Sequence, residues 1–501
     1  MGQGDYAVVW LSDKGPESAR WVPEDSFTPD AIEKRLIQGV RWSQEDIPVS
    51  AKYVQIIHNK NLRIVGTSRW QNAILVEGDV KTLYGLTFVD YIRELPAETR
   101  KGNFNQAVLP EAAKLSGINS AFIQSSLRLP KTDGAGIKIA VFDTGFEGVD
   151  TLAAFQGINI DFKYNFLDEN VSVFENGTHG TAVLSQMAGN SGLVYGMAPN
   201  ASYSLFVTEN VNSERLIEEF YWSMAAEKCD SLGVDIINSS LSYTRFDDAA
   251  ESHDFDELNG FTTLVAKAAN LASERGIIVV VSAGNMGLSP WKRIGSPGDA
   301  SKALTVGALN YSDTAGFIPA LFSSFGPNAA MEEKPEVSAP GESVPFINSF
   351  GEVKYGNGTS FSAPIITGAI ASVLSSLPNK SFNVPLIKDA LVQSASTFPV
   401  FNTQAGFGMP NMAIFASKVK AEMEQLSKLE FSVFPVPNQG KFSIFPRADR
   451  VELFSSNLQE LELNSGESNF IFSTPSPLSK GVYLLKIYRG GKVAVQSIVI
   501  D

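Results

Sequence analysis

The chain has 501 residues, 44% of them hydrophobic, and a formal net charge of −14 at pH 7. That length suits about two to four domains with a large core, and the acidity argues against a nucleic-acid partner. No apolar run approaches the ~20 residues of a membrane span. The single Cys229 allows no disulfide within the chain and lies in a helical pattern, E-R-L-I-E-E-F-Y-W-S-M-A-A-E-K-C. It reads as a core or partly buried thiol, which argues against a cysteine protease.

Residues 1 to about 102 open on Y-A-V-V-W-L-S-D-K-G, which has strand character. It shows neither the charged n-region nor the long apolar h-region of a signal peptide, so the expectation is that such a peptide is absent from this sequence. Further on, V-Q-I-I-H-N-K-N-L-R-I-V-G-T-S-R-W-Q-N-A-I-L-V-E-G and V-K-T-L-Y-G-L-T-F-V-D-Y-I-R-E-L read as strand, turn, helix, strand, a small α+β unit. The polar stretch from Pro96 to Gln106 reads as an exposed linker open to cleavage. Residues 103–128 would hold the rest of that linker and the start of the next region.

Between residues 129 and 427 apolar runs alternate with helical patterns: strand 137–142, a helix from His179, strand near 203–208, helix 213–229, strand 234–240, helix 261–275, then strands 277–281 and 303–308. Such alternation predicts an α/β fold with a parallel sheet covered by helices on both faces. Helices are expected after Ser360, from about 384 to 396 and from about 410 to 427.

Four windows in this region carry chemistry. The first is I-A-V-F-D-T-G, which sets Asp143 at the carboxyl end of a buried strand, where open α/β sheets place their sites. In N-G-T-H-G-T-A-V, His179 stands at the start of a helix of small and apolar residues. Ser360 in G-T-S-F-S-A-P likewise opens an apolar helix, with Pro364 early in it. The run Ile277 to Val281 ends in S-A-G-N, so the Asn285 amide and the Ser360 backbone N–H can share an oxyanion. A serine hydroxyl needs an imidazole to take its proton, and the imidazole needs an anion to fix its tautomer. Singly, each residue reads as a cap or turn; the ordered set Asp, His, Ser with an amide donor points to a serine protease.

The four windows resemble the subtilisin-like serine proteases, the subtilases, over roughly residues 130 to 420. The resemblance implies Asp143 as orienting carboxylate, His179 as general base and then acid, Ser360 as nucleophile and Asn285 as oxyanion donor. It also implies that Asp235 to Ser242 is an edge strand pairing with the substrate backbone. Ser240 and Leu241 would line the primary specificity pocket, with Ser282, Ala283 and Gly284 as its other wall. The family usually carries glycine where Ser242 stands. Calcium is common in such enzymes. Here the segment between His179 and Gly196 offers only Asn190 and Ser191 as obvious oxygen ligands, where Ca²⁺ takes 6–8, so no metal or cofactor site is expected. His58 and His253 read as strand-end and surface residues. The region 1–102 resembles a subtilase propeptide, which assists folding and blocks the cleft; an independent binding domain is the alternative.

Beyond Lys428 short alternating strands predict a compact β-sandwich over 428–501. Its P-x-P-N-x-G-K-F near the start and G-V-Y-L-L-K-I near the end are similar to the carboxy-terminal sorting domain of the type IX secretion system; an accessory β domain is the alternative. The resemblance implies a secreted or cell-surface endopeptidase acting on protein or peptide substrates, exported from a Gram-negative bacterium by that machinery. A pseudoprotease and a non-peptidase hydrolase with the same triad remain open. A lipase-type G-x-S-x-G elbow does not surround Ser360.

Overall fold

The computed structural model describes residues 6–38, 40–95, 118–377, 383–427, 432–434, 441–445, 450–457, 459–465, 471–489 and 492–500. Four antiparallel strands open the chain, in the spatial order Arg63–Ser68, Ala73–Glu77, Tyr6–Leu11, Val89–Leu95. Alternation along them divides two cores, because successive strand residues face opposite ways. Ala7, Val9, Leu11, Ile74 and Val76 pack with Ile57 of the helix Ala51–His58. Val8, Ala73 and Leu75 face the other way, onto Phe220, Tyr221 and Met224 of the helix Ile217–Leu232. The order strand, turn, helix, strand expected for this unit is not what forms. V-Q-I-I-H lies in the helix Ala51–His58, whose first turn is capped by Ser50 Oγ accepting from Tyr53 N, and two strands then follow in succession.

The central sheet has eight strands. Its path runs Gly316–Pro319, Leu304–Ser312, Ile278–Ser282, Ile236–Ser239, Lys138–Asp143, Ser202–Val207, Asn159–Asn165, with Val337–Pro340 also pairing to Leu304–Ser312. All pairings are parallel except that of Gly316–Pro319. This is an α/β fold with a mostly parallel central sheet. On one face Val141, Leu205, Ile236 and Val280 meet the helices His179–Ala188 and Thr359–Ser375 through Val183, Met187, Ile366 and Ile370. On the other, Phe142, Phe206, Ile237 and Val281 meet Ile217–Leu232 and Leu264–Glu274 through Phe220, Trp222, Val265 and Ala269. Cys229 is fully buried there.

A buried ion cluster fastens the N-terminal sheet to the central fold. Arg35 Nε bonds Asp230 Oδ1 at 3.1 Å and Arg35 Nη2 bonds Asp46 Oδ1 at 2.8 Å. Arg275 Nε joins Asp46 at 3.1 Å, and Arg69 Nη2 joins Asp230 at 2.9 Å. Burial works against the Asp46 anion, but the two guanidiniums outweigh it and hold its carboxyl below the usual range.

At the other end, two small antiparallel sheets share a core of Leu453, Phe472, Leu485, Ile487 and Ile498. Phe454 and Leu484 turn outward from it and pack against Ile32 and Trp42 of the N-terminal unit. The Pro96–Gln106 linker and the whole P-V-P-N-Q-G stretch lie outside the described residues. Among the described residues no helix is long and apolar enough to cross a membrane.

Candidate active site

The strand Lys138–Asp143 ends at the carboxyl edge of the sheet, and Asp143 is its last, fully buried residue. Its Oδ1 accepts from Thr144 N at 2.8 Å, so the turn after the strand holds the carboxylate rather than covering it. His179 begins the helix His179–Ala188, and its Nδ1 lies 2.8 and 2.9 Å from the two Asp143 oxygens. A carboxylate facing Nδ1 fixes the proton there and leaves the Nε2 lone pair available. Burial disfavours the imidazolium, but the Asp143 charge and hydrogen bond, with the Glu209 charge, outweigh it and raise the pKa above the usual histidine value.

Ser360 is the second residue of the helix Thr359–Ser375, and its hydroxyl donates to the Ser240 carbonyl at 3.3 Å. Hydrogen bonds between a nucleophile and its base commonly tighten only when substrate binds. Asn285 follows the strand Ile278–Ser282 and is exposed. Its Oδ1 accepts from Thr359 N at 2.9 Å and Thr359 Oγ1 at 3.0 Å. The oxygen end of the amide is thus engaged by the turn before Ser360, which leaves the Nδ2 donor for the cleft.

Ser239 pairs with Val281 in the parallel register, so Ser240 comes level with Ser282, the last residue of its strand, and residues 241–242 and 283–284 follow from neighbouring strands. The expectation of an edge strand over Asp235 to Ser242 does not hold for its first half: Ile236–Ser239 is central, paired with Lys138–Asp143 on one side and Ile278–Ser282 on the other. Buried on both faces, it behaves as an interior parallel strand.

Two histidine readings need correcting. His58 is the exposed last residue of a helix, not a strand end. His253 is buried, not on the surface; its Nε2 faces Glu219 Oε1, a partner 34 residues away. Glu209, which the sequence reading passed over, lies just past the strand Ser202–Val207, the neighbour of the Asp143 strand. Its Oε1 accepts from Tyr243 Oη and Thr208 Oγ1, and burial pushes its carboxyl up to about 7. An acid directly after a buried run beside the Asp143 strand was the available signal. Glu209, Glu214 and Glu218 bring one oxygen each within 4.8 Å of one another. Burial, then mutual repulsion, raises the last two well above the ordinary carboxyl range. Three such oxygens are half or fewer of what Ca²⁺ takes. Asn190 and Ser191 sit in a two-residue strand paired with Val194–Tyr195.

The subtilase family model matches residues 134–409, and that of the peptidase S8 propeptide domain of Bacteroidota matches residues 6–111. Subtilisin NAT of Bacillus subtilis subsp. natto is 26% identical over 390 residues, covering 76% of this chain and 90% of that protein. Among solved structures, fervidolysin from Fervidobacterium pennivorans, a keratinolytic enzyme related to subtilisin, has a TM-score of 0.56 at 16% identity, covering 100% of this chain and 76% of that one. The epidermin leader peptide processing serine protease of Staphylococcus aureus has a TM-score of 0.54 at 18% identity, covering 82% of this chain and 97% of that one. At these identities the two structures bear on the fold.

Proposed function

The chain belongs to the subtilase family and is a subtilisin-like serine peptidase, and from that premise we propose that it is a secreted endopeptidase working through Asp143, His179 and Ser360 by way of an acyl-enzyme. The observation that carries the reading is His179 Nδ1 on both oxygens of Asp143. His179 Nε2 takes the proton as Ser360 Oγ attacks the peptide carbonyl. The carbonyl oxygen becomes an anion and accepts from Asn285 Nδ2 and from the Ser360 backbone N–H at the helix amino end. Collapse expels the amine, which takes the proton from His179, and leaves an ester on Ser360. Water then attacks that ester with His179 again as base, releasing the carboxylate and restoring the hydroxyl. Residues 240–242 would pair with the substrate backbone, and 282–284 would face its side chain.

The domains proposed are 1–102 as propeptide, 103–128 as linker and start of the mature enzyme, 129–427 as the catalytic region and 428–501 as the tail. The propeptide would assist folding and restrain the cleft until cleavage in the Pro96–Gln106 segment. Support for export by a type IX system is the pair of tail motifs together with the match to a Bacteroidota propeptide domain. The test is Ser360→Ala: it should abolish peptidase activity and leave the chain unprocessed. Trimming at the wild-type rate would contradict self-processing. For the tail, a chain ending at Ser427 should keep activity yet fail to be exported by a host with that machinery.

A further inference from the structure

Residues 240–242 and 282–284 run on together toward the carboxyl edge of the sheet, where Ser240 O accepts from the Ser360 hydroxyl. The Ser282 hydroxyl ties the two segments, donating to the Leu241 carbonyl at 3.3 Å. A third segment, Gly295 and Ser296, is held against them, since Tyr243 N donates to Ser296 O at 2.7 Å and Ser296 N to Tyr243 O at 2.9 Å. Gly284 and Gly295 therefore both turn bare backbone toward Ser242. Gly284 has φ +93°, a conformation that side-chain-bearing residues rarely adopt.

Ser242 occupies the space between them. A β-carbon placed on Gly284 would lie 2.7 Å from Ser242 Oγ, and one placed on Gly295 would lie 2.4 Å from it. Those separations are far inside van der Waals contact, so the hydroxymethyl group already fills the gap that two glycines facing each other would leave. A glycine at 242 would leave that volume open. The surrounding segments are tied by backbone hydrogen bonds and cannot spread cheaply to make room.

We propose that Ser242 sets the depth of the pocket that takes the substrate side chain just before the cleaved bond, and so restricts this enzyme to peptides with a small residue there. The proposal rests on the peptidase reading above and adds the substrate class. Pockets that differ by a methylene or two commonly discriminate by about 10–200-fold.

The experiment compares the active enzyme with its Ser242→Gly and Ser242→Thr variants on two peptides identical except for Ala or Phe before the scissile bond, each enzyme titrated for reactive Ser360. Wild type should favour Ala. Ser242→Gly should raise the Phe-to-Ala ratio of kcat/KM by at least about tenfold, while Ser242→Thr should lower it. If one variant does not fold, the other still reads the direction. A wild type that already favours Phe, or a ratio unmoved in the variants, overturns the pocket assignment alone. A folded wild type whose Ser360 does not titrate and that cleaves neither peptide overturns the peptidase reading, whereas one whose Ser360 titrates but that cleaves neither overturns the pocket assignment alone.

Discussion

Ser240 and Ser360 exchange hydrogen bonds: the Ser240 hydroxyl donates to the Ser360 carbonyl at 3.1 Å, and the Ser360 hydroxyl donates to the Ser240 carbonyl at 3.3 Å. The first bond answers a local deficit. A helical carbonyl at 360 would take an N–H from residue 364, which is Pro364 and has none. The strand beyond Ser239 thus completes the helix that carries the nucleophile, and couples the pocket wall to it.

Ser240→Ala should therefore destabilise the fold by about 1–3 kcal/mol, the range for stranding a buried carbonyl. Pro364→Ala restores an N–H four residues after Ser360, so in the Ser240→Ala background it should recover part of the loss. Urea unfolding of the four chains, all carrying Ser360→Ala to prevent self-digestion, measures it. Strict additivity of the two changes would mean the bonds are not substitutes.

Asn285→Ala should lower kcat by about 10²–10³-fold with KM little changed, because its Nδ2 acts on charge that develops only in the transition state. The side chain is exposed, so the fold should persist. An unchanged kcat would remove Asn285 from the site.

The acid limb of the pH profile should reflect His179. The base must be neutral, and its pKa is raised by Asp143 and Glu209 against the burial that lowers it. Activity should then be present at alkaline pH and be lost as pH falls through a value above the ordinary ~6.5. Glu209→Gln removes one of the raising charges, so its kcat/KM profile should shift toward lower pH. A profile that stays put or moves to higher pH would contradict this electrostatic role.

Arg35→Ala should loosen the N-terminal unit. It leaves Asp46 and Asp230 buried with one guanidinium each, Arg275 and Arg69. Stranding a partner of a buried pair costs up to about 3–5 kcal/mol. In the Ser360→Ala chain, hydrogen exchange over residues 6–95 should quicken while the strand Lys138–Asp143 stays protected. Equal protection in both chains would show that the apolar contact of Val8 and Leu75 suffices.

The central sheet and the Asp143–His179 pair were legible because each rests on a short local pattern. An apolar run ending in Asp143 needs no distant information, and neither does a helix of small residues starting at His179. What escaped depends on remote partners. His253 is polar in sequence and buried in the fold because Glu219 meets it. The strand Asn159–Asn165, N-I-D-F-K-Y-N, is an edge strand half of polar residues, so no continuous apolar run announced it. V-Q-I-I-H carries strand-like residues, yet the Ser50 cap and the burial of Ile57 favour a helix. The Ser240 bond that answers Pro364 joins positions 120 residues apart.

The most direct test of the account is reaction of the folded protein with a fluorophosphonate, followed by peptide mapping. One phosphonyl group should be found on Ser360, absent in Ser360→Ala and formed much more slowly in His179→Ala. Peptide cleavage by a protein whose label falls on another residue, or that takes no label, would contradict the account.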